Sequence, residues 1–170
     1  MNHKDTPTMS IKKKLATGVT ALVIATATPF IAKWEGLETT AYKDIVGIPT
    51  VCYGETRGVK MGDTYTKEEC KIMLENAVGE YYSKLQPYMT NKNIPIGVQA
   101  SLLELAYNVG IQAAGTSTMM ALANAGKYPE ACKQLDKWVK AGGKTVTGLQ
   151  NRRTESKIEL CLKGLKGVTK

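Results

Sequence analysis

The chain has 170 residues, 43% of them hydrophobic, and a formal charge of +8; that is enough for one domain with a sizeable core, or two small lobes sharing a connecting helix, and no more. Its one histidine, His3, stands in the N-terminal tail, which excludes imidazole-dependent nucleophilic catalysis and the common zinc hydrolase sites. The positive excess, concentrated between Lys133 and Lys170, reads either as a solvated, helix-rich surface or as attraction to an anionic polymer or envelope surface; it carries no series of base-stacking aromatics and no nucleic-acid motif, so no nucleic acid is expected.

In chain order the first element is apolar. Lys12, Lys13 and Lys14 precede 18 uncharged residues, Leu15 to Ala32, a length at the lower limit for spanning a bilayer, with a basic flank that keeps the N-terminus in the cytoplasm. Leu15, Val19, Leu22, Val23, Ile24, Phe30 and Ile31 favour insertion, while four threonines, Gly18 and Pro29 oppose it. The expected division is a cytoplasmic tail over residues 1–10, a signal-anchor segment over 11–32 and a catalytic domain over 33–170. Such a segment can be a permanent anchor, a signal peptide cleaved after the small-x-small run Ala25-Thr26-Ala27, or a span that later leaves the bilayer. Thr28 is placed to cap a short helix with Pro29 at its first position, ending near Glu35.

Residues 41–60 are punctuated by Gly47, Pro49, Gly54 and Gly58, and predict short strands joined by tight turns. Glu35, Asp44 and Thr50 are set around this small β-lobe. Without imidazole or cofactor, two carboxyl groups in different environments can still cleave a glycosidic bond, one donating a proton to the leaving oxygen and the other serving the attacking water. Glu35, beside Trp34 at the end of an apolar helix, is the candidate acid. Asp44, in a polar turn, is the candidate ionised group, and the Thr50 hydroxyl can help orient its water.

Thr66 and Glu69 form a capping-box pattern that opens a long helix to about Gln86. After a break at Pro87 to Pro95, helices are expected over a stripe from Val98 to Val109, from Thr118 to Asn124, Pro129 to Lys140 and Leu149 to Leu165, making the region beyond Gln86 all helical. The fold class is therefore α+β, mainly α. Cys52, Cys70, Cys132 and Cys161 are too widely spaced for a CxxC-type zinc site, so no metal is expected. Downstream of an export-like segment they fit two disulfides among three pairings, with chain proximity favouring Cys52 with Cys70, and antiparallel helices able to bring Cys132 to Cys161; buried free thiols are the other reading, since cysteine is also an ordinary core residue.

The string EGL, then AYKD, a glycine, Thr50 and Gly54 resembles the catalytic segment of phage T4-type lysozymes, the muramidase endolysins of glycoside hydrolase family 24. The likeness extends over about residues 28–165, through AYNVG (Ala106 to Gly110), a Trp138 helix and GLQNRR (Gly148 to Arg153), and is strongest to lambdoid phage members with an N-terminal signal-arrest-release segment. It implies a two-lobed lysozyme-like fold and hydrolysis of the β-1,4 bond between N-acetylmuramic acid and N-acetylglucosamine, with inversion and without a cofactor. It implies Glu35 as general acid, Asp44 and Thr50 as the pair positioning water, Arg152 as the partner of Glu35 and Asn108 in the sugar cleft. It also implies peptidoglycan glycan strands as substrate, transient tethering to the bacterial inner membrane through residues 11–32, activity in the periplasm, and a monomer. The sequence departs from the pattern at Glu55, where many relatives have histidine. Two other readings share these residues: a lytic transglycosylase, against which Asp44 and Thr50 argue because that reaction needs no positioned water, and a membrane-tethered wall-binding module without catalysis.

Overall fold

The computed structural model describes residues 18–167; the expected cytoplasmic tail, His3 and the first part of the 11–32 segment lie outside the described residues. Helix α1 (Gly18–Glu35) runs unbroken through Pro29 and across the expected boundary at residues 32 and 33. Thr28 therefore does not cap a shorter helix. Its hydroxyl donates to Ile24 O at 2.8 Å, as that of Thr26 does to Leu22 O at 2.7 Å. Pro29 has no N–H for the carbonyl of Ala25, and tertiary packing keeps the helix intact: Val23, Ala27 and Ile31 are fully buried in the core. Gly36, at φ +75° with its N–H on Ala32 O, ends α1 directly after Glu35, the left-handed stop that glycine adopts without a Cβ clash.

Strands β1 (Glu38–Lys43) and β2 (Pro49–Cys52) pair antiparallel with Tyr42 opposite Thr50. Residues 63–65 back β1 through Ala41 N–H to Asp63 O and Tyr65 N–H to Thr39 O, both 2.9 Å. This lobe encloses a small core of Ala41, Val51, Cys52 and Cys70.

Helix α2 (Lys67–Leu85) opens with the expected capping box: Glu69 N–H reaches Thr66 Oγ1, and Thr66 N–H reaches Glu69 Oε2 at 2.7 Å. Its first turn sends Cys70 into the β-lobe, and Leu74, Val78, Tyr82 and Leu85 pack into the larger helical core, so one helix serves both lobes. Tyr82 is buried and donates to Gln99 Oε1 at 2.5 Å.

Helix α3 (Ile96–Val109) is buried on every side from Gly97 to Ala106 and forms the axis of the helical lobe. Around it lie α4 (Ile111–Gly115), α5 (Thr118–Asn124) and α6 (Tyr128–Lys133), the last extended by a 3-10 turn to Lys137. The expectation of an all-helical region beyond Gln86 is overturned by a hairpin of β3 (Lys140–Ala141) and β4 (Lys144–Thr145). Gly142 and Gly143, both at positive φ, make the two-residue turn that favours hairpin over helix. Helix α7 (Thr147–Glu155) continues as a π-helical stretch to Leu162 and a 3-10 turn.

Two disulfides brace this frame, Cys52–Cys70 between β2 and α2 and Cys132–Cys161 between α6 and the π-helical stretch. Gly97 and Gly164 let α3 and the C-terminal turn approach closely: a Cβ on Gly97 would lie 2.3 Å from Leu160 O and 2.7 Å from Gly164 Cα.

Candidate active site

Glu35 is the last residue of α1 and its side chain is one-quarter exposed. Its Oε1 accepts from Arg152 Nη1 at 3.0 Å. Arg152, on α7, is almost wholly buried; its Nε donates to Glu104 Oε1 at 2.5 Å. Glu104 has no exposed surface and is shared with Arg153, whose Nη1 lies 3.1 Å from the same oxygen. Arg153 continues the chain of contacts through Nε to Trp138 O at 3.2 Å and Nη2 to Asn108 Oδ1. Burial pulls the Arg153 guanidinium below its ordinary pKa, against the pull of Glu104 in the other direction. Asn108, Arg153, Glu104, Arg152 and Glu35 thus form one polar line from α3 through α7 to α1.

Asp44 sits in the turn directly after β1. Its Oδ1 accepts from Val46 N–H at 2.9 Å and Ile48 N–H at 2.8 Å, and its own N–H donates to Ile48 O at 3.0 Å. Thr50, buried in β2, donates its hydroxyl to that same Ile48 carbonyl at 3.0 Å. Asp44 and Thr50 are therefore locked to one another through a single residue. Among the described residues no hydrogen bond joins this pair to Glu35; the link is β1 itself, which starts after Gly36 and ends at Lys43.

A groove of about 310 Å³ opens where the lobes meet, with Glu55 and Arg57 on the β-lobe side, Glu80 and Tyr81 on α2, and Tyr107 on α3. The Tyr81 and Tyr107 rings lie 4.8 Å apart. Burial first, then the negative charge of Glu35, pushes the Tyr107 phenol up to about 12. Glu55 is the point at which the sequence departs from the pattern it resembles. It accepts from the backbone N–H groups of Thr56 and Arg57 and from the Arg57 side chain, which also reaches Glu80 at 3.0 Å. The pairing ties the β-lobe to α2.

Of the residues singled out from sequence, Glu35 and Arg152 meet directly, Asp44 and Thr50 meet through Ile48, and Asn108 joins the first group only through Arg153 and Glu104. Sequence reasoning missed Glu104 and Arg153. The available signal was a carboxylate inside the apolar run Leu102, Leu103, Leu105 and a second arginine beside Arg152, since a charge on the buried face of a helix needs a partner.

A small β-lobe and a helical lobe joined through one long helix, with a carboxylate ending the first helix, is the architecture of the lysozyme-like hydrolases of peptidoglycan. The chain belongs to the phage lysozyme family, whose profile matches residues 32–156, and is thereby a phage endolysin, a protein of host-cell lysis. It is 38% identical over 162 residues to the SAR-endolysin of Enterobacteria phage P21, an alignment covering 91% of this chain and 97% of that one. Among solved structures, a P22 lysozyme mutant superposes with a TM-score of 0.72 at 26% identity, covering 80% of this chain and 94% of that one. The active form of the P1 phage endolysin Lyz gives 0.71 at 21% identity, covering 88% and 96%.

Proposed function

We propose that the chain is a muramidase that hydrolyses the β-1,4 bond between N-acetylmuramic acid and N-acetylglucosamine with inversion. Glu35 gives its proton to the leaving glycosidic oxygen as the C1–O bond breaks. A water held by Asp44 attacks C1 from the opposite face, and its proton passes to the Asp44 carboxylate. The observation that carries this reading is the division of labour between the two acids. Glu35 is held by one buried guanidinium at the end of a helix, whereas Asp44 has Oδ1 fixed by two backbone N–H groups, leaving Oδ2 without a hydrogen bond among the described residues. Thr50, fixed on Ile48, supplies the second oxygen for the water. The Tyr81 and Tyr107 rings offer apolar faces to sugar rings in the groove between the lobes.

The same reading includes a tether. Residues 11–32 hold the newly made protein at the inner membrane with its N-terminus in the cytoplasm, and the released monomer acts in the periplasm. The name of the phage P21 relative, the basic flank and the uncharged stretch support this. Among the described residues no helix is long and apolar enough to cross a membrane; these residues include the uncharged stretch only from Gly18 on, and with it three threonines and Pro29.

The test is digestion of purified peptidoglycan by the parent, Glu35→Gln and Asp44→Asn, with products read by mass spectrometry. New reducing ends from the parent and none from either variant are expected. Anhydro-sugar ends would assign the lytic transglycosylase reaction instead, and either variant clearing walls at the parental rate would remove its residue from the mechanism. Fractionation of expressing cells before and after collapse of the membrane potential tests the tether; full-length protein moving from membrane to soluble periplasm is the expected result.

A further inference from the structure

We infer that Glu104 is a positioning residue for the reaction: a buried carboxylate that aims Arg152, and through it fixes the carboxyl group of Glu35. The inference rests on the reading of Glu35 as the acid. Arg152 has three nitrogens with which to be held. Nη1 is on Glu35 and Nε is on Glu104, while Nη2 is buried and has no hydrogen-bond partner among the described residues. The side-chain bonds that set the plane of this guanidinium are therefore two, and only the one to Glu104 comes from a fully buried group.

Glu104 is itself immovable. It lies in the middle of α3, the most enclosed helix, and Arg153 grips it from the other side while being held by Trp138 O and Asn108. A carboxylate placed there carries a large desolvation penalty and is tolerated because both arginines neutralise it. Packing alone would be satisfied by a leucine, as at Leu102, Leu103 and Leu105 around it. What a carboxylate adds is a fixed anchor point for two guanidinium groups, one of which ends on Glu35. Guanidinium geometry is planar, so tilting Arg152 at Nε displaces Nη1 at the carboxyl group it holds. Displacements of about 1 Å at a reacting group cost up to about 100-fold in rate.

The experiment is a double-mutant cycle on soluble peptidoglycan glycan strands with Glu104→Gln, Arg152→Met and both together, each first shown folded by circular dichroism at the assay temperature. Positioning predicts that E104Q lowers kcat about 10-fold or more with KM within twofold, and that the double variant is no slower than R152M, because Glu104 acts only through Arg152. A parental kcat in E104Q, or losses that multiply in the double variant, overturns the inference. Should E104Q fail to fold, the pair E104M/R153M replaces the buried ions by apolar groups. It should fold and still show the kcat loss; full activity there overturns the inference. E35Q is run alongside: activity in E35Q sinks the acid assignment itself, whereas an inactive E35Q with an unaffected E104Q sinks only the role of Glu104.

Discussion

Arg152 and Glu35 meet at 3.0 Å across 117 positions of sequence, joining the last turn of α1 to α7. The pair fastens the N-terminal helix to the C-terminal one at the point where the candidate acid emerges. Replacing Arg152 by methionine removes partners from Glu35 and from the fully buried Glu104 together. Breaking a buried ion pair on one side costs about 3–5 kcal/mol. Thermal denaturation should show a loss of that order, accompanied by reduced wall-clearing activity; an unchanged melting temperature would refute it.

The disulfides should matter separately for the two lobes. Closing loops of 18 and 29 residues stabilises a chain by about 3 kcal/mol each through the unfolded state. Cys132→Ala/Cys161→Ala and Cys52→Ala/Cys70→Ala should each lower stability in urea titrations by roughly that amount. The Cys52–Cys70 deletion should in addition weaken activity more than the other, because it frees β2, which carries Thr50.

Gly97→Ala is expected to destabilise by about 2 kcal/mol or more. The new methyl group would meet the backbone of Leu160 and Gly164 at 2.3 and 2.7 Å, and backbone atoms have no rotamer by which to yield. The corresponding change at the surface glycine Gly148, which meets nothing within 4 Å, is the control and should be nearly neutral.

Glu55 makes stability depend on acidity. Burial raises its pKa, but hydrogen bonds and charge from Arg57, with the N–H of Thr56, outweigh burial and leave the folded value below the ordinary 4.5. A folded value below the unfolded one means that the stabilisation is fully present above the ordinary carboxylate pKa and disappears as the pH falls through the lower folded value. Melting temperatures measured from pH 6 downward should therefore fall less steeply in Glu55→Gln than in the parent.

Much of this architecture was legible in the sequence because its signals are local. The capping box of Thr66 and Glu69, the helical spacing through α2 and the turn glycines around Asp44 act within a few residues, and they fold as read. Three elements were decided by tertiary packing instead. Thr28 and Pro29 carry a helix-start signal, yet burial of Val23, Ala27 and Ile31 extends α1 back through them. Gly142 and Gly143 lie in the gap between two expected helices, and became the turn of a hairpin because their neighbours pair. Glu104 drew no reading at all: a lone carboxylate inside an apolar run signals that a partner is needed, but not that Arg152 and Arg153, nearly fifty residues later, converge on it. The candidate acids were singled out by their order and spacing together with the family resemblance; the network behind Glu35 is long-range and is not written in such a local pattern.

The inward stripe of α1 has a further consequence for the tethered state proposed above. Val23, Ala27 and Ile31 can be surrounded by acyl chains or by α3, but not by both. In that proposed state the bilayer would be a competing solvent for part of the enzyme's own interior: with lipid on those side chains, the helical lobe would lack a wall and Glu35 a route to Arg152. Departure from lipid and completion of the molecule would be one and the same event, with dormancy arising from solvation alone.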